Sequence, residues 1–177
     1  MSQEKPSRSP RDSALLAAIR TILAWCKSNA SFRYLPDSAS GWCNGGCALF
    51  GVVATRLFPE ADLWGLWGRT AGSGDTDKPG ATRGPWGDRN DLLQHVIVEL
   101  NGTFFDGSGF LGEDAGAAAA AYGRAEDLVV TEWRPTCCEE IAETEIACER
   151  EDVYRTEKAL RAHLIRNNTP VPELVIV

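Results

Sequence analysis

One cysteine of this sequence stands where a reactive thiol is expected. Cys47 follows the pair Gly45 and Gly46 and opens an apolar stretch that predicts a helix ending before Pro59. A free thiol, with an ordinary pKa of about 8.5, is mostly protonated at neutral pH and is then a weak nucleophile. The amides and dipole of a helix N-terminus stabilise the thiolate, and the two glycines leave space for a substrate backbone. We therefore predict that Cys47 is a nucleophile.

A β-hairpin is predicted further along the chain. Residues 93–100 alternate between two faces, residues 103–106 are apolar up to a final acid, and Asn101-Gly102 joins the two segments. This dipeptide between such segments is a strong hairpin signal, and a two-residue turn pairs Leu100 with Thr103. The predicted register therefore fixes which side chains of the two strands can meet.

A histidine and an aspartate of this hairpin are the predicted partners of the Cys47 thiol. His95 stands at the head of the first strand and Asp106 at the end of the second. In the predicted register they lie diagonally on the same face, a separation that a ring side chain spans. His95 would take and return a proton, while Asp106 would orient the imidazole and favour its charged form. Together with Cys47 they are the parts of a thiol-nucleophile active site.

Other cysteines leave alternatives open. Cys43, four residues before Cys47, could be the nucleophile itself, a resolving thiol or one metal ligand. The remaining residues able to join it on a metal are Cys137, Cys138, Cys148 and His163. Adjacent cysteines rarely serve one tetrahedral site, and no pair of short Cys-x-x-Cys motifs occurs. We therefore predict no metal and no other cofactor, and a structural or redox-sensing role for the three later cysteines.

Composition limits the class of protein. The chain has 177 residues, 44% of them hydrophobic and 24% charged, which fits one soluble globular domain. A net charge of -7 argues against nucleic-acid binding. No apolar stretch approaches the roughly 20 residues that cross a bilayer, and the polar start lacks the apolar core of a secretion signal. We predict a cytoplasmic protein with no membrane partner, while export by a signal-independent route stays open.

The pattern along the chain predicts a single α+β domain over residues 12–177, preceded by a disordered tail over residues 1–11. Helices are predicted over 12–29, 47–58, 113–122, 137–148 and 152–166. Strands are predicted over 61–67, 93–100, 103–106, 127–133 and 174–177. Residues 68–90 carry no periodicity, which is typical of a functional lid or a disordered loop.

The order of cysteine, histidine and aspartate along the chain, and the elements that carry them, resemble those of the papain-like superfamily of cysteine peptidases and amidohydrolases. The resemblance covers roughly residues 41–109 and is carried by GWCNGGCALFGVVATRLFP and HVIVELNGTFFDGSG. It implies a nucleophile-bearing helix packed on an antiparallel sheet, here with additional C-terminal helices. It also implies that Cys47 is the nucleophile, His95 the general base and acid, and Asp106 the orienting third member.

The same resemblance points to an oxyanion site before the nucleophile. Papain itself places a glutamine several residues ahead of its cysteine, whereas residues 38–44 here contain none. Asn44 or the backbone amide of Cys47 would stabilise the oxyanion instead. Gly46 and Trp42 complete the predicted substrate-binding residues.

The sequence therefore predicts thiol-dependent hydrolysis or acyl transfer at an amide bond of a protein or peptide, by a protease or glutamine deamidase of bacterial or phage type. One alternative is a non-catalytic papain-fold protein, such as a phage-type inhibitor, that binds a host protein through an acidic surface. That surface would include Glu139, Glu140, Glu143 and Glu145. A third reading is a redox protein using Cys43 and Cys47. The oligomeric state is not predicted.

Overall fold

The fold is a mixed α+β arrangement of an antiparallel sheet and flanking helices. The computed structural model describes residues 10–29, 42, 46–70, 92–114, 116, 117, 120, 128–144 and 148–169. Four helices have described bounds: α1 (Pro10–Ser28), α2 (Cys47–Leu57), α3 (Cys138–Ala142) and α4 (Arg150–Arg166). The strands are β1 (Asp62–Thr70), β2 (Leu92–Leu100), β3 (Thr103–Asp106), β4 (Gly109–Gly112) and β5 (Leu128–Thr136). They form one sheet in the order β4-β3-β2-β1-β5, and every neighbouring pair is antiparallel.

Helix α2 is the centre of the packing. Its side chains are apolar on nearly every side, and a helix of that kind is stable only when it is buried. It contacts β2 on one side and α4 on another, while α1 packs against α4. A Cβ added to Gly51 would lie 2.7 Å from Cγ1 of Val96, so this glycine permits the close approach of α2 to β2. The helix that begins at Cys47 is thereby held against the strand that carries His95.

The β2–β3 hairpin has the predicted register. Asn101 and Gly102 both adopt positive φ angles, 51° and 74°, as expected for a tight turn of type I′. Leu100 pairs with Thr103, and the ladder continues to Val98 opposite Phe105. The prediction of two strands around an Asn-Gly turn is confirmed.

An irregularity in β2 lies beside His95. On the β1 side, Leu66 pairs with His95 and Trp67 pairs with Leu93, so the ladder passes over Gln94. A β-bulge of this kind bends its strand and re-aims the neighbouring side chains. The bulge therefore lies directly before His95 on the side of β2 that pairs with β1.

The predicted elements that fall on described residues are present, but β1 extends to Thr70 beyond the predicted end at 67, and β5 extends to Thr136 beyond the predicted end at 133. Three further differences follow. α1 begins at Pro10, before the predicted start at residue 12, because proline is tolerated in the first turn of a helix. The predicted helix over 137–148 is wrong: α3 ends at Ala142, and Cys148 is not helical. Its end is marked by Thr144, whose hydroxyl donates to the carbonyl of Ile141 at 2.7 Å and competes with the helical pattern. Strand β4 was not predicted, because four residues flanked by glycines carry too little periodicity.

Several predictions fall on residues outside the described ones. These are residues 1–9 of the predicted tail over 1–11, residues 71–90 of the predicted loop over 68–90 and the edge strand over 174–177. The tail prediction is wrong for residues 10 and 11, which belong to α1, and the loop prediction is wrong for residues 68–70, which belong to β1. Of the predicted helix over 113–122, the described residues 116, 117 and 120 are helical. Among the described helices, none is long and apolar enough to span a bilayer.

Candidate active site

Cys47 is the first residue of α2, as predicted. Gly46 occupies the N-cap position, and its carbonyl accepts the first helical hydrogen bond, from the amide of Phe50 at 2.9 Å. The N-cap supplies no side-chain hydrogen bond to the first turn. The amides of a helical first turn have no partner within the helix, so this end of α2 presents donors and a positive dipole at the sulfur. The local structure therefore favours negative charge at Cys47.

His95 and Asp106 meet as the hairpin register predicts. Nε2 of His95 lies 2.9 Å from Oδ2 of Asp106. Both side chains are buried, with 0% and 2% of their residue surfaces exposed. A buried charge must be paired and hydrogen-bonded, and this ion pair satisfies both requirements.

The thiol of Cys47 is the third member of the group. Its side chain lies near enough to His95 to raise the pKa of that histidine, and Cys47 is itself only 1% exposed. Because Nε2 is engaged with Asp106, Nδ1 is the ring nitrogen that remains available to a thiol. The structure thus brings together the three residues that the sequence placed on separate elements.

The charges of this group reinforce one another. Burial lowers the pKa of His95, but hydrogen bonds with Asp106 and Cys47 and the charges of both outweigh it and raise that pKa to about 9. Burial in turn raises the pKa of Asp106, yet the hydrogen bond and positive charge of His95, with hydrogen bonds from Ser108, hold it below its ordinary value. At neutral pH the pair is therefore imidazolium and carboxylate.

The second oxygen of Asp106 is also fixed. Oδ1 accepts hydrogen bonds from the hydroxyl of Ser108 at 2.6 Å, from its backbone N–H at 2.8 Å and from the N–H of Gly109 at 3.3 Å. Such an Asx turn is a common use of aspartate where a strand ends. No role for Ser108 was predicted from the sequence. The available signal was the Asp-x-Ser spacing, which suits a side chain that bonds two residues ahead.

Trp42 closes the turn from the other side. It is 4% exposed, and its indole N–H donates to the carbonyl of Asn29 at 3.0 Å. Its ring centre lies 5.6 Å from that of Trp25 and 6.5 Å from that of Phe50. A Cβ added to Gly107 would stand 2.3 Å from Cβ of Trp42, so only glycine fits there. The predicted substrate-binding role of Trp42 stays a prediction, because the indole is packed in the core beside the Asp106 turn.

The remaining predicted residues divide into two groups. Asn44 and Cys43 lie outside the described residues, so the predicted oxyanion donor and the alternative thiol have no described position. Cys26 is fully buried on α1, Cys137 is exposed, and Cys138 and Cys148 are half-buried; none of these is in a disulfide. Within the described ranges, no three side chains of His, Cys, Asp or Glu are grouped so that they could hold a metal ion.

The raised pKa of His95 predicts a pH dependence of stability. Its pKa is about 9 in the folded protein and about 6.5 unfolded, so its contribution is complete below pH 6.5 and is lost as the pH rises through 9. The size is at most about 3 kcal/mol in the free energy of unfolding. Asp106, with its lowered pKa, contributes above about pH 4 and loses that contribution as the pH falls further. Urea denaturation at each pH from 5 to 10 measures the His95 limb, and a second series from about pH 2 to pH 5 measures the Asp106 limb.

The control for this prediction is the same series in Asp106→Asn, which removes the charge that holds the proton on His95. Burial also raises the pKa of Cys148. Both proteins should therefore carry Cys148→Ser, so that this thiol does not contribute to the change of stability at high pH. We expect the decline between pH 6.5 and 9 in the parent protein and a flatter curve in Asp106→Asn. Equal slopes in the two proteins would show that His95 is not the titrating group.

Comparison with protein-family models, with curated proteins and with solved structures gives no match for this chain. A proposed function for this chain therefore depends on the described side chains of the site. Among these, the described donors and acceptors around His95 are Cys47 on one side and Asp106 on the other.

Proposed function

We propose that this protein is a thiol-dependent hydrolase or acyl-transfer enzyme of papain-like type that acts on an amide bond of a protein or peptide. One observation carries the proposal: the first residue of an apolar helix, Cys47, contacts a histidine whose Nε2 lies 2.9 Å from a buried carboxylate. The order and roles of nucleophile, base and orienting acid are those of a general thiol active site.

The charges of the group suit the first half of the reaction. The Cys47 sulfur, as thiolate, attacks the carbonyl carbon and forms a C–S bond, while the π electrons of the carbonyl move to its oxygen. The imidazolium of His95 then donates its proton to the leaving nitrogen, and the C–N bond breaks. The products are an acyl-thioester on Cys47 and a free amine, or ammonia where the substrate is a glutamine side chain.

The second half regenerates the site. Neutral His95 removes a proton from water, the hydroxide adds to the thioester carbon, and the C–S bond breaks. The carboxylic acid leaves, and thiolate and imidazolium are restored. Asp106 keeps Nε2 occupied throughout, so that the other ring nitrogen faces the sulfur and the leaving group.

The start of α2 offers a place for the oxyanion. The backbone N–H of Cys47 belongs to a first turn that Gly46 does not cap through a side chain. Donors of this kind, aimed at the developing charge, supply about 10²- to 10³-fold in rate each. Asn44 is proposed as a second donor because it precedes the nucleophile in sequence.

The fold is compatible with the proposed family. A helix that carries the nucleophile packs on an antiparallel sheet, the histidine and the acid lie on neighbouring strands, and helices α3 and α4 follow. These features were implied by the papain-like resemblance of residues 41–109. Since many functions share one fold, the side chains of the site carry more weight than the architecture.

The second candidate is a non-catalytic interaction protein on the same scaffold. The observation that favours it is burial, because Cys47 and His95 are 1% and 0% exposed and a substrate must reach the sulfur. The acidic surface is less well supported. Glu140 forms an ion pair with Arg134 and accepts from Thr136 at 2.8 Å, so it is not free to bind a basic partner.

Alkylation of the cysteines by iodoacetamide, mapped by mass spectrometry, tests the proposal. Cys26 is an internal control of equal burial that is not at a helix N-terminus. We expect Cys47 to react at least about 100-fold faster than Cys26 at pH 7, because it is activated by base and helix. The half-buried and exposed cysteines should be replaced by serine so that they do not obscure the comparison.

A turnover assay accompanies the labelling. Denatured proteins are incubated with the parent protein and with Cys47→Ala, and both ammonia release and new amino termini are measured. Turnover that is lost in Cys47→Ala supports the enzyme, and its product distinguishes deamidation from peptide cleavage. Labelling of Cys47 no faster than that of Cys26, with no turnover, supports the interaction protein. Turnover retained in Cys47→Ala but lost in Cys43→Ala would make Cys43 the nucleophile.

A further inference from the structure

Asp106 has two oxygens with different partners. Oδ2 faces His95, while Oδ1 receives three donors from the turn that follows β3. Because a carboxylate is planar, fixing Oδ1 fixes the direction in which Oδ2 points. Two of the three donors are backbone N–H groups, which most residue types would supply. The third is the hydroxyl of Ser108, which depends on the identity of that residue.

We propose that Ser108 is a positioning residue of the site, whose hydroxyl holds the Asp106 carboxylate so that Oδ2 meets Nε2 of His95. The proposal deepens the proposed function, on which its kinetic consequence rests. Its hydrogen bond of 2.6 Å to a buried carboxylate is in the range of strong, charge-assisted bonds. Ser108 acts through Asp106 and touches neither the sulfur nor the reacting atoms.

The backbone of this turn is held independently. Gly107 packs against Trp42, where no other side chain fits, and Phe105 lies edge-on to Phe50 with ring centres 6.1 Å apart. Both contacts tie the strand end to helix α2 or to the segment just before it. The main-chain position of Ser108 should therefore persist when only its hydroxyl is removed.

Ser108 is also the exposed member of this group, whereas Asp106 and His95 are buried. Replacing it with alanine removes one hydroxyl at the surface and opens no cavity. A change in the reactivity of Cys47 can thus be separated from a loss of packing. The Ser108→Ala substitution therefore tests the hydrogen bond to Asp106 without changing the core.

The test compares wild type, Ser108→Ala and Ser108→Thr, with Ser13→Ala as a matched control on the exposed first turn of α1. We expect Ser108→Ala to slow alkylation of Cys47 about 3- to 10-fold at pH 7, since one of three donors to Oδ1 is lost. Ser108→Thr keeps the hydroxyl and should remain within about twofold of wild type. Ser13→Ala should match wild type in reactivity and melting temperature, and Ser108→Ala should melt only a few degrees lower, because it loses one hydrogen bond while the main chain of the turn is held independently.

A second readout does not depend on catalysis. The ring protons of His95 can be titrated by NMR, and His163, the other histidine of the chain, serves as an internal reference. Asp106 and Cys47 are the groups that face His95, so a loosened carboxylate should lower the pKa of His95 below about 9 in Ser108→Ala while His163 is unchanged. The threonine variant should restore it.

The outcomes separate this proposal from the proposed function. Slow alkylation of Cys47 in wild type would contradict the proposed enzymatic function. The NMR titration of His95 would still test the positioning role of Ser108. Identical titration of His95 in wild type and Ser108→Ala would overturn the positioning role even if Cys47 is highly reactive. A lower melting temperature in Ser108→Ala without a shifted titration would likewise overturn it, because that result describes a purely structural residue.

Discussion

Replacing His95 with alanine is expected to reduce turnover by about 10²- to 10⁴-fold and to remove the preferential alkylation of Cys47. The imidazole lies near the thiol and carries a positive charge at neutral pH, so alanine removes both the base and the counter-ion. Steady-state kinetics and cysteine mapping measure the two effects. Because removal of the imidazole can only widen access to the sulfur, a slower reaction reports lost activation and not lost access.

The alanine variant needs a companion, since it leaves Asp106 buried without its ionic partner. Breaking a buried pair in this way costs about 3–5 kcal/mol and could unfold the domain. His95→Gln is the companion, because its amide N–H can still donate to Oδ2 but cannot exchange a proton near pH 7. Both variants should lose reactivity, and the glutamine variant should retain more stability. A folded His95→Gln protein with wild-type alkylation of Cys47 would refute the role of His95.

The sequence contained enough to predict the His95–Asp106 contact. The Asn101-Gly102 turn fixes the register, and the register fixes which side chains lie diagonally across the two strands. These are local relations over a dozen residues, so they need no knowledge of the rest of the fold. The 2.9 Å bond follows from them almost directly.

The contact between Cys47 and His95 is different, because it depends on how α2 lies on the sheet. Two features set that arrangement: the close approach of Gly51 to Val96 and the bulge at Gln94. Glycine inside a helix is less stable than alanine by about 1 kcal/mol, which signals a packing reason without naming the partner. A bulge leaves no comparable mark in the sequence. The grouping of Cys47 with His95 was therefore predictable from the resemblance of residues 41–109, and not from local register.

Burial accounts for the wrong length of the helix predicted over 137–148, and it bears on the prediction for Trp42, which stays a prediction. Residues 137–148 contain good helix formers, yet Ile141 is the one buried residue of α3, so the helix has little to hold it beyond one turn. Trp42 was assigned to substrate binding from its position before the nucleophile, but its neighbours Trp25, Phe50 and Gly107 come from three separate segments. No local pattern reveals such neighbours.

Replacing Asp106 with asparagine is expected to reduce turnover about 10²- to 10⁴-fold while keeping the fold, through the tautomer of His95. The three donors on Oδ1 require an acceptor there, so the asparagine carbonyl must face Ser108 and Gly109. Its NH₂ group then faces Nε2 of His95 and donates to it. The ring must carry its proton on Nδ1, the nitrogen left to the thiol, and can no longer accept the proton of Cys47.

The loss of the negative charge of Asp106 should also reduce the activity. Burial lowers the pKa of His95, and without the carboxylate only Cys47 still raises it. The pKa of His95 should therefore fall from about 9, and the imidazolium should be lost at neutral pH. NMR of the ring nitrogens reports both the protonation and the tautomer, and kinetics reports the loss of rate. Asp114→Asn is the matched control, because Asp114 also accepts a backbone N–H, from Ala117 at 2.8 Å, but at an exposed position. If Asp106→Asn kept the proton on Nε2 and full activity, the orienting role of the carboxylate would be wrong.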